Sequence, residues 1–281
     1  MDILTTTDAL GNRLRPRRQE HQSIGLVPTM GYLHEGHLSL MRKARSENDV
    51  LVATIFVNPT QFGPNEDLDK YPRDPEGDAE KCRSAGVDIL FVPGPGEVYR
   101  AGFQTYVSVE KLSAPLCGAS RPGHFRGVAT VVLKLFNMVQ PSRAYFGRKD
   151  YQQVQVIKTM VRDLDLDVQI VECDTIREDD GLAMSSRNAY LAPDHRKQAV
   201  CLYQALMEAK SLFKRGEKRA EDYLGAMRKR VNAEPDAEVD YIGIVHPETL
   251  DHLDEVKDNA LGILAVRIGS TRLIDNMLLD E

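Results

Sequence analysis

Leu26-Val-Pro-Thr-Met30-Gly-Tyr-Leu-His34-Glu-Gly36-His37-Leu-Ser-Leu-Met41-Arg-Lys-Ala44-Arg45 is the stretch on which the fold turns. An apolar run ends at Pro28, a glycine-flanked turn follows, and Leu38–Arg45 is amphipathic, so the order reads strand, tight turn, helix. His34 and His37 stand three apart at the helix's first turn. Residues at that spacing share a helix face, so both rings can point at one ligand. A helix N-terminus also offers unpaired backbone N–H groups and a partial positive charge, which suits phosphate. Two imidazole donors at such a site imply chemistry on a nucleotide's phosphates.

Outward from this stretch, the pattern repeats. The first strand covers about residues 23–28 and its helix about 36–47; Val50–Val57 is a β-branched apolar run of the kind buried on both faces of a parallel sheet. Asn58–Asn65 reads as loop, Asp74–Ser84 as a helix ended by Gly86, and Val87–Val92 as a strand stopped by Pro93–Gly96. Thr105–Val109 alternates and is a candidate short strand. A helix fits Gly127–Val139, a strand Arg143–Phe146, a helix Tyr151–Leu164 and a strand Val168–Cys173. Repeated strand-helix-strand order predicts an α/β, doubly wound parallel sheet with its ligands at the strands' carboxyl ends. The character changes after about residue 175. Arg196–Gly216 and Arg219–Ala233 are helical, whereas Val239–Val245, Leu261–Ile268 and Thr271–Asn276 read as strands. Two domains are expected, 1–175 and a smaller α+β unit at 176–281.

The 281 residues carry 36 basic against 42 acidic side chains, a net charge of −6 that argues against a nucleic-acid binder working through bulk electrostatics. Cysteines at 82, 117, 173 and 201 form no CxxC pair, which points to reduced thiols and a cytoplasmic protein rather than a disulfide framework. Met1–Thr7 lacks the charged start and apolar core of a secretory leader, and no apolar run approaches the roughly 20 residues of a membrane span. A soluble protein without membrane or nucleic-acid partners is expected.

Other segments offer polar chemistry beside the histidines. The scattered cysteines supply no partners for a zinc site built on His34 and His37, so phosphate contact is the favoured reading. Ala183-Met184-Ser185-Ser186-Arg187-Asn188 places two hydroxyls beside a guanidinium, a set able to bind phosphate oxygens or to serve as an exposed loop. Lys149, in Gly147-Arg148-Lys149-Asp150, follows a strand and opens a helix. Asp150 suits a ribose hydroxyl and equally an N-cap. Gln61 and Gln153 carry donor and acceptor groups suited to hydroxyls or a carboxylate. Arg121-Pro-Gly-His124-Phe-Arg126-Gly is a basic turn that either binds an acidic substrate or shapes the loop into the next helix. No P-loop, GxGxxG fingerprint or Ser/His/Asp order is present, which disfavours kinase, dehydrogenase and hydrolase readings.

Together, Val27–His37, Phe56–Gly63, Arg121–Val128, Tyr145–Gln153 and Arg177–Leu191 resemble the pantothenate synthetases (pantoate–β-alanine ligases, AMP-forming), with Asp240-Tyr-Ile extending the likeness. That family lies in the superfamily of HIGH-motif nucleotidyltransferases and class I aminoacyl-tRNA synthetases. Five ordered motifs are far more specific than HxGH alone. The resemblance implies a Rossmann-like sheet with the C-terminal unit as a lid carrying the Met-Ser-Ser-Arg loop. It implies a two-step reaction: pantoate's carboxylate attacks the α-phosphate of ATP, and the amine of β-alanine then attacks the acyl carbon of pantoyl adenylate. It also implies roles. His34, His37, Lys149, Ser185, Ser186 and Arg187 would be catalytic. Met30, Gly31, Tyr32, Leu33, His34, Glu35, Gly36, His37, Gly147, Arg148, Lys149, Asp150, Ile176, Met184 and Ser185–Arg187 would bind ATP. Gln61 and Gln153 would hold pantoate, against an apolar wall of Pro28, Met30, Val128, Val131 and Phe146. Magnesium would ride on the ATP phosphates rather than in a protein cage, and the chain would form a homodimer through its N-terminal domain. Arg148 departs from the family pattern, which has an acidic or neutral residue there. A phosphopantetheine adenylyltransferase would need cations where Gln61 and Gln153 stand, and a silent nucleotide-binding protein would have lost His34, His37, Lys149 or the Ser-Ser-Arg run.

Overall fold

β2 (Ile24–Thr29) and β3 (Val50–Ile55) run parallel and in register from Ile24↔Val50 to Thr29↔Ile55, the apolar runs lying side by side. They form the middle of a six-stranded, all-parallel sheet in the computed structural model, which describes residues 1–281 except Asn65. In chain order the elements are β1 (Asp2–Leu4), α1 (Thr7–Gln19), β2, α2 (Glu35–Glu47), β3, α3 (Pro75–Ser84), β4 (Ile89–Phe91), α4 (Pro95–Val98), α5 (Cys117–Ser120), α6 (His124–Val139), β5 (Arg143–Gly147), α7 (Tyr151–Asp163) and β6 (Gln169–Cys173). The sheet order is β1-β4-β3-β2-β5-β6. From β2 the chain builds outward to one side through β3 and β4, then returns to the other through β5 and β6. The reversal lies between β2 and β5, whose carboxyl ends carry Met30 and Gly147, the position where open α/β sheets bind ligands. Leu26, Val27, Leu51, Val52 and Ala53 are fully buried, as strands covered on both faces require.

By contacts the chain divides into two compact units. The first comprises Met1–Ser113, Arg121–Arg148 and Gln153–Asp174; the second comprises Thr175–Glu281 with two short segments, Ala114–Ser120 and Lys149–Gln152, that the sequence reading left in the first. The second unit contains α8 (Pro193–Ala199), α9 (Cys201–Lys214), α10 (Ala220–Val231) and the antiparallel strands β7 (Ala237–Val245), β8 (Leu261–Ile268) and β9 (Thr271–Leu278) in that order. Its core joins Leu202, Leu206, Tyr223 and Met227 of the helices to Ile244, Leu264 and Val266 of the sheet.

Four expectations are corrected. Thr105–Val109 is not a strand: the edge of β4 is taken by β1, and the Val107 amide bonds instead to Thr130 Oγ1 at 3.0 Å. β1 and α1 were not anticipated. Pro16 lies inside α1, which buries only Leu10 and Leu14, so its apolar periodicity is weak. The helix expected at Arg196–Gly216 is two, interrupted at Val200, whose backbone stays right-handed helical while Ala199 and Cys201 on either side are fully buried. α6 begins three residues early, because Gly123 takes φ 83° and starts the helix at His124. Of the Asn58–Asn65 loop, Pro59–Gln61 forms a single 3₁₀ turn, and Asn65 lies outside the described residues.

Candidate active site

Thr29 ends β2, and the chain then turns through Gly31 (φ 85°) and Tyr32 (φ 51°) before α2. Two successive residues in this left-handed region aim the amides of Tyr32 and Leu33 the same way. Both donate to the carboxylate of Asp78 at 2.7 Å, and Asp78, on α3, is buried. A Cβ on Gly31 would stand 3.0 Å from both Asp78 Oδ2 and Ile55 Cγ2, so the turn needs glycine on space as well as conformation. Lys81, one helical turn beyond Asp78, donates to the Leu33 carbonyl at 2.9 Å. α3 therefore grips both the donors and an acceptor of the turn. Sequence reading missed Asp78, which is 45 residues from Leu33 and has no local signature.

His34 is the N-cap of α2. Its Nδ1 accepts from the Gly36 amide at 3.2 Å, and the His34 amide donates to His37 Nδ1 at 3.3 Å, a reciprocal cap made of two imidazoles. A ring nitrogen that accepts a hydrogen bond carries no proton, so in both neutral rings the hydrogen sits on Nε2. The ring centroids are 4.1 Å apart. The pair thus presents two N–H donors at one helix N-terminus, with the tautomers set by the backbone.

Gln61 lies on the 3₁₀ turn after β3. Its Oε1 accepts from Asn58 Nδ2 at 3.0 Å, and its Nε2 stands 3.3 Å from Met30 Sδ. Asn58 is buried, and its Oδ1 takes Tyr99 Oη at 2.8 Å and Thr60 Oγ1 at 2.9 Å. It is a second residue that the sequence reading passed over. Gly127 on α6 permits a close approach here, since a Cβ would lie 2.4 Å from the Thr60 carbonyl oxygen. Val128, Val131 and Phe146 of the expected apolar wall are buried, Pro28 and Met30 are half-buried, and Gln153 is half-buried in the first turn of α7. Arg148 pairs with Asp174 at 2.5 Å, so its extra charge is met at the ends of β5 and β6.

Arg148–Asp150 form a 3₁₀ turn leading into α7. In the second unit, the Lys149 carbonyl accepts from Asn276 Nδ2 at 2.9 Å. Lys149 Nζ lies 3.8 Å from Asp150. Arg177 and Ala183 bridge a short hairpin, and the Met184 amide returns to the Ile176 carbonyl at 2.9 Å. Arg177 forks onto Asp275 at 2.6 and 3.0 Å and also donates to the carbonyls of Gly181 and Asn276. Asp275 is 1% exposed; burial pushes its carboxyl up, while the bonds and charge of Arg177 pull the other way. Ser185 caps the 3₁₀ turn Ser186–Tyr190 by accepting from the Arg187 amide, and Asn188 ties that turn to Glu178 at 2.8 Å. The Ser-Ser-Arg run is a folded turn, not a loose loop. Among the described residues no group of three His, Cys, Asp or Glu could hold a metal ion. All four cysteines are buried and unpaired.

The family model for pantoate–β-alanine ligases matches residues 2–278. The chain belongs to the pantoate–β-alanine ligase family. It is 54% identical over 280 residues to the pantothenate synthetase of Acetivibrio thermocellus, covering 100% of both chains, and 56% identical to that of Moorella thermoacetica, covering 100% of this chain and 99% of the other. Among solved structures, it is similar to the pantothenate synthetase of Thermus thermophilus, with a TM-score of 0.96, 50% identity and full coverage of both chains. The pantoate–β-alanine ligase of Francisella tularensis, solved in complex with β,γ-ATP and β-alanine, gives a TM-score of 0.85 at 36% identity, with 100% and 98% coverage. The parallel sheet and the small antiparallel sheet of this ligase are thus those of its family.

Proposed function

We propose that the chain condenses pantoate with β-alanine in two steps on one site, with ATP entering as its magnesium complex and leaving as AMP and pyrophosphate. A pantoate carboxylate oxygen attacks the α-phosphorus, and the bond from that phosphorus to the oxygen bridging the α- and β-phosphates breaks to release pyrophosphate. The amine of β-alanine then attacks the acyl carbon. The acyl C–O bond breaks, AMP leaves with that oxygen, and a proton is lost from the nitrogen. A carboxylate is already a competent nucleophile, so such a site needs preorganised donors more than a strong base. The observation that carries the reading is the imidazole pair, whose Nδ1 atoms are engaged by the backbone so that the Nε2–H groups are the donors.

In this reading His34 and His37 stabilise the charge that builds on the α-phosphate and departing pyrophosphate. Lys149, Ser185, Ser186 and Arg187 hold the triphosphate. Met30–His37, the backbone of Gly147–Asp150, Ile176 and Met184 line the nucleotide, and the second unit serves as the lid. Gln61 and Gln153 bind pantoate through its hydroxyls and carboxylate, with Pro28, Met30, Val128, Val131 and Phe146 against its geminal methyls. Magnesium sits on the phosphate oxygens, in keeping with hard oxygen ligands. A homodimer through the first unit and a cytoplasmic location complete the proposal. No described helix is long and apolar enough to cross a membrane.

The test is exchange of labelled pyrophosphate into ATP. Exchange is expected to require pantoate but not β-alanine, and His37→Ala should lower it by about 10²–10³-fold with its fold retained, the usual cost of one preorganised donor. Exchange that ignored pantoate, or that responded to phosphopantetheine instead, would overturn the substrate assignment.

A further inference from the structure

The basic turn Arg121–Arg126 has no part in the chemistry above, yet two of its side chains meet at the main chain of Gln61. Arg121 donates through Nε to Glu66 Oε1 at 2.7 Å and through one terminal nitrogen to Glu66 Oε2 at 2.5 Å. That same nitrogen reaches the Gln61 carbonyl at 3.2 Å. His124 Nδ1 lies 2.9 Å from the same carbonyl oxygen, and its Nε2 lies 3.1 Å from the other terminal nitrogen of Arg121. A guanidinium has donors only, so His124 Nε2 must accept, and Nδ1 therefore carries the hydrogen given to Gln61. One arginine thus ties Glu66, the imidazole and the carbonyl together. The Arg121 side chain is only 14% exposed, so the arrangement is shielded from competing water.

We propose that Arg121 and His124 are positioning residues for pantoate selection. This inference rests on the reading of Gln61 as a pantoate ligand. They hold the Gln61 carbonyl from one side, while Asn58 holds its side-chain oxygen and Gly127 lets α6 press against Thr60 and the Gln61 amide nitrogen. With its backbone and Oε1 fixed, the Nε2 donor has one orientation before substrate arrives. A site built to hydrogen-bond a hydroxy acid gains both affinity and discrimination from such preorganisation. Neither Arg121 nor His124 is required to touch the reacting atoms.

Steady-state kinetics on the full-length enzyme separate this role from a structural one. Arg121→Met and His124→Leu should each raise KM for pantoate about tenfold or more, leaving KM for ATP within about twofold. The melting temperature should stay close to the parent for His124→Leu and fall only modestly for Arg121→Met, which also removes the ion pair with Glu66. His124→Asn, which can keep a donor near the Nδ1 position, should recover most of the loss. Arg121→Lys, which keeps the charge but cannot bridge three acceptors, should not. The inference is overturned if folded variants leave KM for pantoate unchanged, or if KM for ATP and β-alanine rises in parallel with a fall in melting temperature. Gln61→Ala is the control. If it raises KM for pantoate while Arg121→Met, Arg121→Lys and His124→Leu do not, the positioning role alone is lost. If Gln61→Ala also leaves it unchanged, the pantoate assignment of Gln61 is lost first, and the inference with it.

Discussion

The turn at Met30–His37 and the hairpin at Arg177–Asn188 each close on a buried aspartate, and the two carboxylates are satisfied by opposite kinds of partner. Asp78 takes two neutral backbone amides, from Tyr32 and Leu33. Asp275 takes the fork of Arg177 and the amide of Asn276, at 2.8 Å. In the first unit a negative charge sits under a turn whose dipoles point at it, and the shape of the turn is what the charge stabilises. In the second unit two opposite charges are taken out of water together, and each is costly without the other. One arrangement fixes a backbone conformation; the other fixes which segments of the unit lie beside each other.

The contrast sets the sizes of the expected effects. Asp275→Ala should be the most damaging, because it strands Arg177 without its partner. A loss of about 3–5 kcal/mol is expected in denaturant unfolding of the second unit. A variant as stable as the parent would mean that Arg177 finds another acceptor. Asp78→Asn keeps the volume but offers one oxygen where two amides need acceptors, and it loses the charge that strengthens both bonds. Unfolding should be easier by about 1–3 kcal/mol, and pantoate-dependent exchange should fall further than stability alone explains, since the His34 cap starts from this turn. Parent-like exchange would detach the turn's geometry from catalysis.

Glu66 gives a smaller, pH-dependent effect. Burial pushes its carboxyl up, but the hydrogen bonds and charge of Arg121, with the Gly63 amide, outweigh it and leave the pKa below the ordinary value. Its contribution is therefore fully present above the unfolded carboxylate pKa of about 4.3 and is lost as pH falls through the lower folded value. Glu66→Gln should flatten that acid limb in pH-dependent melting, and an unchanged limb would count against the ion pair. The least effect is expected from Arg148→Gln. Its partner Asp174 is 80% exposed, and surface pairs of this kind contribute about 0–1 kcal/mol. KM for ATP should stay within about twofold; a larger rise would place the guanidinium on the nucleotide.

The same contrast explains what could be read in the sequence. The β2–turn–α2 segment was legible because its cap is made by neighbours: His34, Gly36 and His37 lie within one helical turn. The apolar run Val50–Val57 announced a doubly covered strand for a similar local reason, and β3 occupies most of it. Partners far along the chain left no such trace. Asn276 reaches Lys149 across 127 positions, Arg177 reaches Asp275 across 98, and Arg121 reaches Gln61 across 60. Asp78 looks in sequence like one more acid in the first turn of an ordinary helix. Thr105–Val109 misled for the opposite reason, since alternation reports a half-covered chain and cannot say whether a sheet edge remains for it.

Acyl-AMP chemistry is tested most directly by following the carboxylate oxygens of pantoate. With both carboxylate oxygens replaced by the heavy isotope, complete turnover with ATP and β-alanine should place one heavy oxygen in each AMP and none in pyrophosphate, because the amine displaces AMP by breaking the acyl C–O bond. Heavy oxygen in inorganic phosphate or pyrophosphate, or AMP carrying none, would contradict an acyl adenylate and the roles given to the two imidazoles.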